Sequence, residues 1–518
     1  MVNDLGVIKV DLVATGKDVI KACQLKSYDI LLMDYNLGEG KNGQQLLEEL
    51  RTTKLLKHVS VVLMTTAETS QEMVLSAIEH QPDGYLAKPF AFNLLKNRLD
   101  KTLIRNEALY NILSALDDEN YAEAIKNCDL HINESGRYSK WCLKAKADLL
   151  YKLGEYDVAL HIYKKQLSER CEDWALLGQG KAFAAQKKYA DALKSFQQLL
   201  TANPMFMAVY DWIAKMHLAL NDPDTAQKTL EKAVAISPRS FTRLHDLAHL
   251  CQQNNDLAQA TNIYRKTLEL AENSIHFSAD NNFELANCLT QYAKDLQGSE
   301  ADKLTREALN TLNSLASKFK NDILVKIKTK LIESKVYYTM KDPSKAQAVL
   351  DSALMLSESM GEENNPEILI ELASTYTHSN NIVKAQEILK ELGEKHANNE
   401  EIINKIELLS EQPFNEKTKL IISEFTKNGI ELYEKGDYDE AIKQFARAMR
   451  QFPKHVGLQL NLVQALLGAL NQDPNHDKNY QQCKTCLNQV KNSASLQQRK
   501  QRYQDLSDKF DIVSKLRK

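Results

Sequence analysis

Three apolar runs near the start of the sequence end on side chains that could handle a phosphoryl group. DILLMD (29–34) closes on a carboxylate, Asp34, and VSVVLM (59–64) runs into two hydroxyls, Thr65 and Thr66. GYLA (84–87) is followed by an ammonium, Lys88. A carboxylate nucleophile can accept a phosphoryl group to give an aspartyl-phosphate. A hydroxyl and an ammonium can then hold the phosphoryl oxygens, and a divalent cation can neutralise the remaining charge. Any one of these residues alone says little. The ordered set describes a reaction site.

The elements that must position them are legible. Residues 7–13 (VIKVDLV), 29–34, 59–64 and 84–87 read as short β-rich strands. Helical patterns fall between them at about 16–26, 42–53 and 69–80, and another begins near 91. Strands alternating with helices of this length predict a parallel sheet with right-handed crossovers. In such sheets ligands bind beyond the carboxyl ends of the strands, where Asp34, Thr66 and Lys88 are expected. The glycines behind Asp34 (Gly38, Gly40, Gly43) keep it at a rim.

On these residues, positions 1–104 resemble the receiver domain of bacterial two-component response regulators, a flavodoxin-like α/β fold. DILLMDYNLG is similar to the phosphoacceptor strand, VVLMTTAE to the strand bearing the family's hydroxyl, and GYLAKPF to its closing motif. The resemblance implies Asp34 as phosphoacceptor, and Thr66, Ala67 and Lys88 as the phosphoryl-binding set. It places Tyr85 at the aromatic switch position and makes Asp34 and the Asn36 carbonyl ligands of Mg²⁺. It also implies a cis bond between Lys88 and Pro89, and a sensor histidine kinase or phosphotransfer protein as partner. Receivers open with a strand ending in two adjacent acids and then a helix, whereas this sequence starts at Met1 inside the end of that helix. The expectation is a receiver lacking its first strand and most of its first helix, with an incomplete Mg²⁺ site. The natural frame is then expected to extend roughly 20–25 residues upstream, the missing strand being the central one of the 2-1-3-4-5 order.

From about residue 105 the chain repeats itself. LGEYDVALHIY, KKYADALKSF, NDLAQATNIY and KGDYDEAIKQF are variants of one phrase. Anchored on its alanine, the phrase recurs at Ala124, Ala159, Ala192, Ala226 and Ala260, spacings of 35, 33, 34 and 34, and later at Ala308, Ala346, Ala385 and Ala441. Most anchors are followed four residues on by a large apolar side chain such as Tyr163, Phe196 or Phe445. A period near 34 built of two amphipathic helices resembles the tetratricopeptide (TPR) repeat, which implies an all-α superhelical solenoid that binds protein partners. The array is expected over 105–470, in nine or ten units with irregular later ones, and capping helices over 471–518. Register within the first helices puts Trp141 and Trp174 at one inward position and Lys181, Lys215 and His249 at another. That lining would suit a peptide with acidic and apolar side chains.

The rest of the sequence excludes more than it adds. Lys and Arg number 66 against 69 Asp and Glu, a net charge of −3 that argues against a generic nucleic-acid or membrane-surface protein. No apolar stretch approaches ~20 residues, and the start has no signal-peptide pattern. Eight scattered cysteines fit a reducing compartment, the cytoplasm. Cys483 and Cys486 form a lone C-x-x-C without a second ligand pair or a strand–helix context, so they read as structural. Glu-Ala-Leu at 107–109 and 307–309 matches a tripeptide of cyclic-di-GMP phosphodiesterases, but no β/α barrel follows. No P-loop, nucleophile elbow or His-Glu-x-x-His is present. The expectation is therefore a non-enzymatic response regulator with a protein-binding output. The alternative is a constitutive TPR scaffold whose receiver no longer signals.

Overall fold

The computed structural model describes residues 5–38, 40–67, 82–362 and 364–517. Backbone contacts divide the chain into two compact units, Met1–Asn281 and Asn282–Lys518. Among the described residues no helix is long and apolar enough to cross a membrane.

The first unit opens with three parallel strands in the order β1 (Ile30–Asp34), β2 (Val61–Thr66), β3 (Gly84–Ala87). The central β2, VVLMTT, is buried on both faces up to Thr65, which is why it reads as a continuous apolar run rather than an alternating one. On one face Met33, Val62 and Met64 pack with Leu46, Leu47 and Leu50 of α2 (Gly43–Thr52) and with Cys23 of α1 (Gly16–Leu25). On the other, Val61, Leu63 and Leu86 pack with Leu95 and Leu99 of α3 (Phe92–Ala108). The first two helices start where the sequence supplies a cap. The Thr15 side chain accepts the Asp18 N–H, and Asn42 with Gln45 forms a capping box at α2.

Two sequence expectations fail here. The run VIKVDLV (7–13) is not a strand: it lies in extended or irregular backbone, with Ile8 95 % and Leu12 93 % exposed. A parallel strand needs a ladder partner on at least one side, and the described sheet offers this segment none. The unbroken apolar pattern of 92–116 predicts one continuous helix, but the backbone leaves helical geometry at Leu109 and restarts as α4 (Tyr110–Asp117). Burial of Leu109, Ile112 and Leu113 against the following pair redirects the axis there. The helix expected at 69–80 lies outside the described residues.

Helical pairs follow: α5 (Tyr121–Asn133), α6 (Ser139–Lys152), α7 (Tyr156–Glu169), α8 (Asp173–Ala185), α9 (Tyr189–Ala202), α10 (Met207–Ala219), α11 (Pro223–Ile236), α12 (Phe241–Gln253) and α13 (Leu257–Ala271). Ala124, Ala159, Ala192, Ala226 and Ala260 are all fully buried, at 0 % exposure. The large residue four positions on needs a matching hole in the neighbouring helix. A Cβ added at Gly178 would lie 2.2 Å from the Tyr163 ring, and one at Gly180 2.3 Å from Phe196. The turn that closes each pair repeats just as regularly. Glu119, Gly154, Lys187, Asn221 and Asn255 all have φ between 52° and 84°, each five residues before its alanine. This left-handed residue reverses the chain between paired helices.

The second unit continues the same logic, from α14 (Ala279–Lys294) through α15 (Ser299–Lys318), α16 (Ile323–Thr339), α17 (Pro343–Ser359), α18 (Pro366–His378), α19 (Ile382–Lys395) and the short α20 (Glu400–Glu407). Then come α21 (Glu416–Glu434), α22 (Tyr438–Gln451) and α23 (Val456–Gln472). Ala308, Ala346, Ala385 and Ala441 are again at 0 % exposure, and Lys341, Asn380 and Gly436 carry the left-handed turn. Helix α23 is apolar nearly all round and is buried by α22, by α24 (Asp477–Lys491) and by α25 (Lys500–Leu516). Cys483 and Cys486 face this core as free thiols. Burial pushes them up to about 12 and about 11, which leaves them inert at neutral pH. At the start of α23, His455 Nδ1 accepts the Leu458 N–H at 3.1 Å, a cap that requires the ring nitrogen to be unprotonated.

Two stability effects are expected. A lysine in the left-handed region is strained by its Cβ, so Lys187→Gly and Lys341→Gly should each stabilise by about 1 kcal/mol in denaturant unfolding; a loss in both would show that the side chains compensate. His455 is held down to about 4 from 6.5, chiefly by burial. Between those values the unfolded chain binds the extra proton, so stability is complete above that window and falls as pH drops through it, by on the order of 2–3 kcal/mol. His455→Asn keeps a capping side chain and should flatten the melting temperature's dependence on pH over that range. An unchanged slope would assign the acid sensitivity to other groups.

Candidate functional site

Strand register brings the three tips together. Asp34 lies opposite Thr65, and Thr66 opposite Ala87. Beyond the strands the Tyr35 N–H donates to the Thr65 carbonyl at 2.7 Å, and the Lys88 N–H donates to the Thr66 carbonyl at 2.7 Å. The Lys88 ammonium makes an ion pair with the Asp34 carboxylate, both ends being partly exposed at the rim. Alternation along β2 separates the two threonines. Thr65 is buried, with its hydroxyl directed back to the Met33 carbonyl at 3.4 Å, whereas Thr66 and then Ala67 lie toward solvent. Of the two threonines, it is the Thr66 side chain that reaches the rim. The Lys88–Pro89 bond is cis.

The loop after Asp34 is folded onto it. The Asn36 N–H approaches Asp34 Oδ1 at 3.4 Å, and Asn36 Oδ1 accepts the Gly38 N–H at 3.1 Å. The Gly43 N–H donates to the Tyr35 carbonyl at 2.7 Å, and a Cβ at Gly43 would meet the Asp34 carbonyl oxygen at 2.3 Å. Gly43 is therefore a residue the site requires, and its role is not readable from its place in a glycine-rich turn. Tyr85 turns inward against the Met33–Leu46 core, and its buried hydroxyl has no hydrogen-bond partner among the described residues. Burial pushes that phenol upward, so it stays neutral.

As a Mg²⁺ site these residues fall short. Receiver domains generally bind Mg²⁺ beside the phosphoacceptor, and the ion demands near-octahedral oxygen coordination. Here Asp34 already shares its carboxylate with Lys88, and the Asn36 carbonyl is the second expected oxygen. Among the described residues no group of three or more His, Cys, Asp or Glu side chains includes Asp34. Among the described residues the donor set at Asp34 falls short of what a resident Mg²⁺ requires.

The family profile of the response regulator receiver domain matches residues 1–100. Over 105 residues, 20 % of this chain, the sequence is 32 % identical to chemotaxis protein CheY-3 of Vibrio cholerae and covers 79 % of that protein. It is also 30 % identical to chemotaxis protein CheY of Pseudomonas aeruginosa over 105 residues, 83 % of that protein. The chain belongs to the response regulator receiver family. Beyond the receiver, tetratricopeptide repeat profiles match 144–204, 183–250, 335–406 and 426–473. Solved structures similar to it include the C-terminal part of a TPR repeat-containing protein from Cytophaga hutchinsonii, at TM-score 0.39 and 17 % identity, covering 51 % of this chain and 99 % of that one. Another is a tetratricopeptide repeat protein from Parabacteroides merdae, at TM-score 0.31 and 14 % identity, covering 52 % and 97 %.

The receiver is fastened to its own repeats by contacts that no motif announces. Helix α2 presents Glu48 to His276 Nε2 at 2.9 Å, and Gln45 Nε2 donates to the Leu270 carbonyl at 3.2 Å. His276 stacks on Phe241, with ring centroids 4.1 Å apart and planes at 5°. Arg239 reaches the Tyr35 hydroxyl at 3.5 Å, one residue along from Asp34. On another side Asp117 accepts the His58 N–H at 2.6 Å, Arg105 pairs with Asp83 at 2.5 Å, and Lys54 pairs with Glu119.

The expected groove residues are placed unevenly. Trp141 packs into the first helical pair, and Trp174 meets Tyr163 edge-on at 6.0 Å, so both rings serve contacts between repeats. Lys181 and Lys215 do converge on Trp212, at 5.7 and 5.3 Å from its ring, and Trp212 lies against Phe196. Sequence register missed Trp212; its helical offset from Lys215 (212 and 215 on α10) is the signal that could have found it. The lysines are not an uncompensated column, because Asp148 sits among Lys144 and Lys181, and Asp246 near Lys215. His249 is engaged by Tyr264, whose hydroxyl lies 3.3 Å from its Nδ1.

One substitution isolates the switch position. An unsatisfied buried hydroxyl costs stability, so Tyr85→Phe should be neutral or stabilising by about 1 kcal/mol in equilibrium unfolding. A clear destabilisation would mean that the hydroxyl has a partner in solution.

Proposed function

We propose that this chain is a phosphorelay response regulator that accepts a phosphoryl group on Asp34 and delivers its output through protein contacts of its TPR repeats. The observation that carries the reading is the Asp34–Lys88 pair at three adjacent strand tips, with Thr66 beside it. A sensor histidine kinase or phosphotransfer protein is the donor. An Asp34 carboxylate oxygen attacks the phosphorus, and the bond to the donor's imidazole nitrogen breaks with its electron pair. Lys88 moves from the carboxylate to the phosphoryl oxygens, and the Thr66 hydroxyl and the backbone at Ala67 hold the others. The added charge of about −1.5 to −2 disturbs the rim, including Tyr85 and the segment that leads into α2. Since α2 grips 270–276 and Tyr35 meets Arg239, that disturbance reaches the repeats directly. We assign residues 1–104 to the receiver, 105–470 to the repeats and 471–518 to capping helices. The protein is a non-enzymatic signalling protein, and its eight free cysteines favour the cytoplasm. Trp212 with Lys181 and Lys215, more than Trp141, Trp174 or His249, is the part of the groove suited to a partner.

A second reading is favoured by one observation. The sparse oxygen set at Asp34 suits a receiver that is no longer phosphorylated, on a scaffold that binds constitutively. Labelling with acetyl phosphate and Mg²⁺, followed by peptide mapping, separates the two. The signalling reading expects one phosphoryl group on Asp34, none in Asp34→Asn, and labelling slowed about a hundredfold in Lys88→Ala. It also expects faster amide exchange at 239–242 and 270–276 after labelling. Failure to label at saturating donor, or exchange that does not change, selects the scaffold.

A further inference from the structure

Near the end of the second unit lies a cavity of about 560 Å³, within the ~300–1,000 Å³ typical of small-molecule sites. One wall is apolar, made by Ile422, Ile430 and Tyr433 of α21 and by Phe445 of α22. The lining also carries two guanidinium groups, Arg499 and Arg502. Arg502 is only partly exposed, and its Nη2 is held by two neutral oxygens, Asn461 Oδ1 at 2.6 Å and Gln464 Oε1 at 2.9 Å. Arg499 lies over the first turn of α23, where a Cβ added at Gly457 would meet its Nη1 at 2.9 Å. Among the described residues neither arginine has a carboxylate within ion-pair distance.

Confined charges in proteins are normally paired. Arg502 is instead partly buried beside a second cation, the exposed Arg499, and burial together with the Arg499 charge pulls it below its usual range. His455, in the same lining, is also disfavoured in its charged form by Arg499. The amide oxygens of Asn461 and Gln464 fix the Arg502 fork without neutralising it. Lys419 is already paired with Glu416, and Glu434 at the apolar rim has no bond to either guanidinium. The site therefore offers one held cation, Arg502, a second and more exposed one, Arg499, at a helix start, and an apolar lining beside them.

We infer that this cavity binds an organic acid, its carboxylate held by Arg499 and Arg502 and its apolar body against Ile422, Ile430 and Phe445. The carboxylate can come from a free acid or from the last residue of a peptide. The chemistry is the same, and the probes below tell the sources apart. Occupancy would neutralise the arginine pair and brace α21 against α25. Such a ligand would act on the second unit independently of phosphorylation at Asp34.

Isothermal titration of the full chain tests this with decanoate and phenylbutyrate, each beside its neutral amide. A third pair is an N-acetylated pentapeptide ending in Leu, as free acid and as amide. At least one acid should bind saturably, with its amide about tenfold or more weaker, the loss expected for one charge-assisted contact. Arg499→Ala and Arg502→Gln should weaken that acid to the same degree while melting like the parent. Because Arg502 also bonds to α23, the exposed Arg499 variant keeps the test valid if Arg502→Gln fails to fold. Binding by the small acids alone identifies a metabolite-type ligand, and binding by the peptide alone identifies a protein C-terminus. No saturable binding by any acid, or equal binding by acids and amides, overturns the assignment.

Discussion

The start of α2 is pressed against the backbone of Asp34, and much of the first unit follows from that one close approach. With the Asp34 carbonyl oxygen 2.3 Å from where a side chain would begin at Gly43, no other residue fits without moving the helix or the strand tip. The helix is thereby fixed at one end by the site and at its side by Leu46, Leu47 and Leu50 in the sheet core. Its remaining face carries Gln45 and Glu48 to the repeats. A helix shared between the Asp34 strand tip and a docking contact couples the two mechanically. Movement of the strand tip displaces the contact, because packed cores shift between discrete arrangements more readily than they stretch.

The sequence made some of this readable and hid the rest for physical reasons. Local constraints repeat, so they can be read: the alanine of each pair is set by the closeness of two helices, and it stays fully buried even in the later units, where its spacing lengthens. The left-handed turn residue keeps the same offset but changes identity from Glu119 to Gly154 to Lys187, so only the backbone reveals it. The strand tips were legible because a parallel sheet puts every carboxyl end on one edge. The run at 7–13 misled because strand character is a property of a pair: an apolar, β-branched segment without a neighbour has no ladder to join. Contacts such as Gln45 with Leu270, or Tyr35 with Arg239, join positions more than two hundred residues apart and leave no periodic trace.

Charge separates the structural polar contacts from those free to meet something else. Arg243, 3 % exposed, is clamped by Asp211 through two bonds of 2.8 and 3.0 Å. Lys335, equally hidden, is held by Glu371, by Ser374 at 2.9 Å and by Asn287 at 3.2 Å. In both cases a carboxylate matches the buried charge, as an interior requires. Lys181 and Lys215 occupy a middle ground, with aspartates nearby and the Trp212 ring within reach of both. The pair Arg499 and Arg502 stands at the other extreme, because its hydrogen bonds go to amides and no anion answers it. Repeats of one construction thus give different surfaces according to which positions receive a counter-charge. A fold whose stability rests on buried alanines and aromatics leaves its exposed polar positions free to vary in this way. That independence is what allows one array to hold a receiver at its beginning and present an unmatched cationic pocket near its end.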